Sequence, residues 1–215
     1  MVAAMGHELR SPLSAVIGLS ALLMEDPDGD PASRELFLGG INSSGRFLLS
    51  LVNHTADYAR VVAGETPLDR RVCDLGQAVA TVSDRLRPLA MSAAVELHAE
   101  IAAPLVMADD KRLQQVLFNL GLRAVRRTPA GGAIVITALS TERGVVVSLP
   151  NGASEPAADR RETLFDPFVA ANPDAIPDTG RVQLDLELCR ALALAMGGDL
   201  TLAEQTVLTL EAAPA

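Results

Sequence analysis

A chain of 215 residues in which 49% are hydrophobic can bury one large core or two small ones. Its net charge of -9 and its pI near 4.8 exclude the basic surface that nucleic-acid binding requires, so we expect protein partners instead. No apolar run reaches the roughly 20 residues that cross a bilayer, and no signal peptide opens the chain, so we expect a cytoplasmic protein that contains no membrane span.

Two long helices are predicted at the N-terminus. Apolar residues recur at helical spacing from Leu9 to Leu23, and the pattern stops at the loop DPDGDP. A second helical pattern of about thirty residues ends near Gly64. This antiparallel hairpin carries an apolar stripe along its length, and no third helix covers it. We therefore expect a homodimer in which two hairpins form a four-helix bundle.

A mixed pattern of helices and strands follows from residue 66. We predict a short strand over 71–73 and a helix over 75–87. The alternation in VELHAEI predicts a strand with His98 outward and four residues pointing inward: Val95, Leu97, Ala99 and Ile101.

The rest of the chain also has a mixed pattern of helices and strands. Asp109 and Asp110 open a predicted helix that runs to about residue 127, and two strands follow in AIVITAL and GVVVSL. A segment rich in Pro, Ala and Asp over 150–180 leads to a helix over about 182–196 and two short closing strands. Helices beside a mostly antiparallel sheet predict an α+β fold for this part.

Cys73 and Cys189 lie far apart and outside any CxxC or Cys/His cluster. The sequence therefore indicates neither a disulfide nor a zinc site, and we predict no protein-held metal. Both cysteines are expected to be small core or near-surface residues.

The stretch GHELRSPLSA carries the candidate chemistry. Ser11 is four residues after His7 and shares its helix face, while Glu8 can lean toward the imidazole. Pro12 cannot donate a hydrogen bond to the carbonyl of Glu8, so we expect a bend that exposes the ring. A neutral imidazole is a nucleophile whose proton a neighbouring carboxylate can accept, which fits a phosphoryl relay. The alternative is an ordinary exposed histidine before a helix kink.

Four stretches, taken in order, resemble the catalytic core of the two-component sensor histidine kinases. GHELRSPLSAVIG resembles the H-box, and DDKRLQQVLFNLGLRAVRRTPAGGAIVITA the N-box helix with its following strand. LFDPF resembles the F-box, and LCRALALAMGGDL the helix and turn after the last glycine box. The resemblance covers essentially the whole chain. It implies a dimerisation and histidine-phosphotransfer hairpin over 1–65 and an α/β-sandwich, ATPase-like domain of the GHKL type over 66–215.

The implied nucleotide site departs from the family pattern. Family members bind Mg-ATP through an N-box asparagine on the metal, an aspartate on the adenine, and glycine-rich turns on the phosphates. NLGLRA matches the N-box at Asn119 but has Arg123 where the metal-binding asparagine belongs, and a guanidinium repels a cation. The adenine motif and the last glycine box are also replaced, which removes backbone freedom and adds an anion near the phosphates. The residues at these positions are Asn151, Arg181, Gln183 and Asp185. We therefore expect the fold without ATP or Mg²⁺ as cofactors.

Three functional hypotheses remain. In the first, His7 accepts a phosphoryl group from the aspartate of one response-regulator receiver domain and donates it to another; the receiver supplies Mg²⁺, and Arg10 and Leu13 help it dock. Glu8 with Ser11 resembles the arrangement by which family members dephosphorylate their regulators, so phosphatase activity is compatible with the same site. The second is a kinase core with a divergent ATP lid that autophosphorylates His7. The third is a non-catalytic scaffold that binds a regulator.

Overall fold

The structure is a computed structural model that describes residues 2–26, 30–102, 105–142, 144–150, 165 and 179–214. For residues 2–8 and 179–185 it describes the backbone alone. The chain forms two compact units. Of the described residues, the first contains 2–57 and 179–184, and the second contains those from 58 to 165 together with 185–214.

The first unit is built from the two long helices predicted from the sequence. Helix α1 spans Val2–Glu25 and α2 spans Pro31–Val62. The Asp30 carboxylate accepts a hydrogen bond from the backbone N–H of Ser33 at 3.0 Å and so caps α2, and this bond lowers the pKa of Asp30. Pro31, inside the predicted loop, takes the first helical position, which proline favours.

The two helices contact each other near the turn. A Cβ added at Gly40, early in α2, would lie 2.6 Å from Cδ1 of Leu19, late in α1. A contact between the end of one helix and the start of the next is that of an antiparallel hairpin. Within the described residues, no helix combines the length and the apolarity that crossing a bilayer requires.

Three helices and seven strands follow α2 among the described residues, and the second unit contains all of them except the first six residues of the last helix. The helices are α3 (Leu75–Ser92), α4 (Asp110–Arg127) and α5 (Thr179–Ala195). The strands are β1 (Arg71–Asp74), β2 (Glu96–Ile101), β3 (Leu105–Ala108), β4 (Ala133–Thr141), β5 (Gly144–Pro150), β6 (Asp199–Leu202) and β7 (Gln205–Leu210).

These strands form a five-stranded sheet in the order β2-β4-β5-β7-β6 and a separate antiparallel pair, β1 with β3. In the large sheet β2 runs parallel to β4, and the other three pairings are antiparallel. The predicted α+β fold with a mostly antiparallel sheet is confirmed.

One hydrophobic core joins the helices to the large sheet. It takes Leu86 from α3, Leu117 from α4 and Leu192 from α5, all nearly inaccessible to solvent, and the alternate residues Ile134 and Ile136 from β4. Burying an aliphatic side chain of this size stabilises a fold by about 1.5–3 kcal/mol. Cys73 and Cys189 are unpaired and buried in the same core, as predicted.

Two local predictions for this unit were wrong, and one strand was missed. Helix α3 continues past the predicted end at Arg87 and through Pro88 to Ser92. Its apolar face continues with it, since Leu86 and Ala90 are both buried, and packing outweighs the hydrogen bond that proline removes. Strand β3 was not predicted, because four residues between a short loop and a helix cap give little periodic signal.

The second wrong prediction concerns strand β2. Ala99 was predicted to point inward but is exposed, whereas Leu97 and Ile101 are half-buried and pack against the core, as predicted. Strand β2 is an edge of the sheet and pairs with β4 alone, so its inward side is covered less than that of a central strand. Val95, which is buried, lies one residue before the strand begins. His98 is exposed, as predicted.

Candidate functional site

The predicted phosphoacceptor motif lies on helix α1. His7 and Glu8 belong to the helix, although their side chains are outside the described residues. Arg10, Ser11 and Leu13 are exposed, with 49% of Leu13 accessible. Residues four apart share a helix face, so Ser11 stands one turn after His7. The helix therefore presents Arg10, Ser11 and Leu13 to solvent, where a large partner can reach them.

Asp109 fixes the start of helix α4. Its Oδ1 accepts a hydrogen bond from the backbone N–H of Arg112 at 3.1 Å, and its Oδ2 accepts one from the backbone N–H of Asp69 at 2.9 Å. Burial alone would raise the pKa of the Asp109 carboxyl, but the backbone N–H groups of Asp69, Arg112 and Lys111 outweigh it and lower the pKa. The sequence predicted that Asp109 begins the helix. The hydrogen bond from Asp69 could not be predicted, because the two residues are distant in the chain.

Helix α4 carries a line of polar residues at helical spacing, which we call the α4 polar stripe: Arg112, Gln115, Asn119, Arg123 and Arg126. The Nη1 of Arg112 donates a hydrogen bond to Oε1 of Gln115 at 2.9 Å. Asn119 is half-buried and Arg126 is exposed, while the opposite side of α4 is buried in the core. The stripe thus forms the edge between the core and the surface of the domain.

Arg123 occupies the N-box position of the metal-binding asparagine and is buried, with 7% of its surface exposed. A guanidinium carries only donors, whereas Mg²⁺ requires oxygen ligands. Among the described side chains, no three His, Cys, Asp or Glu residues stand close enough together to hold a metal ion. The residues at this position do not fit Mg²⁺.

Helix α5 borders this region. The Cys189 thiol approaches the carbonyl oxygen of Val116 at 3.9 Å, which places α5 beside α4. Val116 and Arg123 are seven residues apart, about two helical turns, so they share one side of α4.

The residues that replace the last glycine box belong to α5. Arg181, Gln183 and Asp185 have helical backbone, and their side chains are outside the described residues. Asn151, at the adenine position, is also outside the described residues. The loop conformation that a glycine box would provide is therefore replaced by helix at these three positions.

Two features near α5 were missed by sequence reasoning. The guanidinium of Arg190 lies 4.5 Å from the ring centroid of Phe165, the F-box phenylalanine, and its Nε lies 3.4 Å from Oδ1 of Asp199. Glu187 is 2% exposed. The glutamate could have been noticed as a charged residue immediately before the apolar run LCRALALA. The Phe165 contact, by contrast, joins two segments that are distant in the sequence.

The other two histidines lie on elements other than α1 and α4. His54 is half-buried on α2. His98 is on β2, where its Nε2 lies 3.1 Å from Oε2 of Glu96. Neither residue has the neighbouring Glu and Ser spacing that distinguishes His7.

Comparison with known proteins matches both parts of the chain. Residues 1–64 match the model of the His Kinase A (phospho-acceptor) domain, and residues 108–214 match that of the histidine kinase-, DNA gyrase B- and HSP90-like ATPase. Sensor histidine kinase RppB of Synechocystis sp. is 28% identical, over 91% of this chain and 43% of its own length. A sensor-like histidine kinase of Rhizobium meliloti is 30% identical, over 94% of this chain and 39% of its own. The chain therefore spans less than half the length of these curated relatives.

Solved structures agree on the fold. Full-length ShkA in complex with AMPPNP is 28% identical, with a TM-score of 0.68, and the match covers 99% of this chain and 46% of ShkA. Histidine kinase ThkA in complex with the response regulator TrrA gives a TM-score of 0.74 at 22% identity, covering 99% of this chain and 60% of ThkA.

Proposed function

We propose that this chain, which belongs to the sensor histidine kinases and comprises the phosphoacceptor and ATPase-like domains of their core, transfers phosphoryl groups between receiver domains through His7 without using Mg-ATP. The observation that carries the proposal is the burial of Arg123 at the N-box position of the metal ligand. Without a metal at the ATPase-like domain, the phosphoryl group must come from another protein.

The electrostatic cost of placing Mg²⁺ beside Arg123 is large enough to matter. Two like unit charges about 4 Å apart repel by about 4 kcal/mol at an effective dielectric constant of 20. That energy lowers the affinity for a cation by about a thousandfold, and the repulsion of a divalent ion would be larger. Removing one oxygen ligand at the same position adds to this loss.

The residues of α1 supply what the transfer needs from this chain. An imidazole nitrogen of His7 attacks the phosphorus of a receiver's aspartyl phosphate, so that an N–P bond forms, the P–O bond to the aspartate breaks, and the carboxylate leaves. Glu8 accepts the proton that the imidazole gives up. Transfer to a second receiver reverses these steps on another aspartate. Each receiver brings its own Mg²⁺, so this chain needs no metal of its own.

Helices α1 and α2 offer accessible surface to two partners, a receiver domain and a second copy of the chain. Arg10 and Leu13 flank Ser11 on the exposed surface and suit docking of a receiver, and ThkA, a structural neighbour, was solved with a response regulator. Apolar side chains on both helices are accessible, including Ile17 at 60% and Val52 at 56%. A second copy would bury them in a four-helix bundle. We accordingly propose a homodimer with domains at 1–65 and 66–215.

A labelled receiver tests the transfer. The protein is incubated with a receiver that carries labelled phosphate on its aspartate, and label on the chain is measured by acid-labile counts. We expect label on the natural protein and on His98→Ala, a control that removes another exposed histidine, and none on His7→Ala. Label that persists in His7→Ala, or no label on the natural protein, contradicts the proposal. Faster loss of receiver phosphate to water that depends on Ser11 would show the phosphatase activity.

The second candidate, an ATP-dependent kinase core, is favoured by the AMPPNP complex of ShkA, a 28% identical structure. Calorimetry with Mg-ATP separates it from the first. Micromolar affinity together with label on His7 from γ-labelled ATP would replace our proposal. A regulator that binds equally well after His7→Ala, with no phosphoryl transfer in either direction, would favour the third candidate, a scaffold.

A further inference from the structure

We infer that the open edge of strand β2 binds a basic, extended segment of a partner protein, which adds a further strand to the five-stranded sheet. The segment carries two basic residues four positions apart on one side and apolar residues on the other. The inference goes beyond the proposed phosphotransfer and does not rest on it, because β2 takes no part in that reaction.

The first argument is the backbone of β2. Among the described residues this strand pairs with β4 alone, in a register that is continuous over all of its residues. The N–H of Glu96 donates to the carbonyl oxygen of Gly132 at 2.9 Å, so the backbone groups of Glu96 point toward β4. In a strand these groups alternate in direction from one residue to the next. The residues whose N–H and C=O groups point to the open side are therefore Leu97, Ala99 and Ile101.

The second argument is that β2 lacks most of the features that block an open edge. Natural sheets protect their edges with proline, lysine, bulges or very short strands. The sequence of β2, ELHAEI, contains neither proline nor lysine, and its pairing with β4 has no bulge. The other edge strand, β6, has only four residues, against six in β2. The protection of β2 therefore depends on its carboxylates, which repel an acidic strand and attract a basic one.

The third argument is the charge on the outer face of β2. Glu96 and Glu100 are exposed there, with His98 between them. On the adjoining strand β4 the residues of the same face are uncharged: Val135, Thr137 and Leu139. An antiparallel strand at the open edge would place one side chain directly opposite each glutamate, in pairs whose Cα atoms are about 4.5 Å apart. Arginine or lysine at these two positions would pair with the carboxylates, so the spacing of Glu96 and Glu100 sets the spacing of the basic residues.

The fourth argument is the apolar surface on the inner side of β2. Ala99 lies on the core side of the sheet but is exposed, and Leu97 and Ile101 are half-buried. Just before β2, the end of α3 exposes Leu89 at 43% and Met91 at 74%. Apolar side chains on an added strand would cover the inner side of this edge. A segment in which basic and apolar residues alternate therefore matches both faces of β2.

Fluorescence anisotropy tests the charge requirement on the full chain. The probe is a labelled peptide of seven residues, capped at both ends, in which valines alternate with arginine, threonine and arginine. We expect this arginine peptide to bind, and a glutamate peptide with both arginines replaced not to bind. Glu96→Gln and Glu100→Gln should each lower the affinity about threefold, because each removes one cross-strand charge pair. Glu204→Gln is the matched control, since it makes the same charge change at an exposed residue between β6 and β7 and should bind as the natural protein does.

Ala99→Pro tests the backbone requirement. Proline removes the N–H that points to the open side and leaves the hydrogen bonds to β4 in place, as edge strands allow. The affinity for the arginine peptide should fall at least about tenfold. In the natural protein, amide hydrogen exchange followed by NMR should slow at Ala99 and Leu97 when the peptide is added. Exchange at Glu96, whose N–H already donates to Gly132, should not change.

Several results would overturn the inference: no binding of the arginine peptide, equal binding of the glutamate peptide, equal loss in Glu204→Gln, or unchanged affinity in Ala99→Pro. If circular dichroism shows that Ala99→Pro does not fold, the arginine peptide with its two central valines N-methylated provides the test. This peptide cannot donate hydrogen bonds to β2 from those residues, so an affinity equal to that of the unmethylated peptide overturns the inference.

The same measurements identify a different occupant of the edge. Protection of the Ala99 amide that increases with protein concentration, without any peptide, would show that a second copy of the chain binds there and would overturn the inference. His7→Ala should bind the arginine peptide as the natural protein does. Failure of peptide binding is therefore distinguishable from failure of the proposed phosphotransfer.

Discussion

Replacing Asp109 with alanine should destabilise the ATPase-like domain by about 2 kcal/mol. Losing an N-cap carboxylate costs about 1 kcal/mol, and here it is the bond from Arg112 N–H that is lost. Losing the acceptor for the N–H of Asp69, 40 residues away, costs about another 1 kcal/mol. Asp74 is the matched control: among the described residues its carboxylate accepts one hydrogen bond, from the N–H of Gln77 that caps α3, so Asp74→Ala should cost about 1 kcal/mol.

The chain offers a probe that is specific to this unit. It has no tryptophan and a single tyrosine, Tyr58, which packs against the core of the second unit. Tyrosine fluorescence followed through a urea titration therefore reports the unfolding of that unit. With a urea dependence of about 1–3 kcal/mol per molar, the Asp109→Ala midpoint should fall by about 1 M, and by about half as much for Asp74→Ala. Equal midpoints for the two variants would refute the reasoning, because the bond to Asp69 would then contribute nothing.

The pH dependence has a definite sign. The backbone hydrogen bonds lower the folded-state pKa of Asp109 below its unfolded value near 3.9, so the unfolded chain binds the proton more readily. The stability from Asp109 is therefore complete above the unfolded pKa and is lost as the pH falls through the folded pKa. The difference in stability between the natural protein and Asp109→Ala should shrink as the pH is lowered from 7 toward 3. A difference that grows over that range would contradict the assignment.

Two further predictions concern glycines and use the same fluorescence assay. Gly121→Ala should destabilise the domain by about 1 kcal/mol, because the new Cβ would lie 2.4 Å from Cδ1 of buried Leu86 and this overpacking exceeds the gain in helix propensity. In a Leu86→Ala background, where the clash is absent, the same substitution should stabilise the domain by about 1 kcal/mol. A change of the same sign in both backgrounds would exclude this contact as the cause. Gly144→Ala should lower the free energy of unfolding by more than about 2 kcal/mol, since φ is +124° and the new Cβ would lie 2.2 Å from the backbone oxygen of Leu210. Gly131→Ala, with φ of +82° and open space around it, should lower it by about 1 kcal/mol, which is the backbone strain alone. Equal losses for the two variants would argue against the clash at Gly144.

Long periodic segments were the part of the fold that could be predicted from the sequence. Helices α1, α2 and α4 and strands β4 and β5 follow patterns several turns or repeats long, so local signals agree with the final packing. Strand β3 and the last turn of α3 depend on partners distant in the chain, such as β1, which sets the register of β3. In both β3 and the last turn of α3, tertiary contacts outweigh a weak local sequence signal.

The candidate site could likewise be predicted only in part from the sequence. The identity of Arg123 at the metal position follows from motif spacing, and so does the placement of Ser11 one turn after His7. The burial of Arg123 depends on how α4 packs in the domain, and the contact of Arg190 with Phe165 joins two separate segments. Neither could be obtained from one segment alone, because each is a property of elements that meet only in the folded chain.

The edge strand β2 also affects how the protein assembles. Its outer side leaves backbone groups that another chain could extend into a continuous sheet. Glu96 and Glu100 are exposed along this strand, so an added copy would bring carboxylates close to one another. The acidic edge therefore disfavours fibre growth through β2, whereas pairing of the helices in the homodimer proposed above would close after two copies.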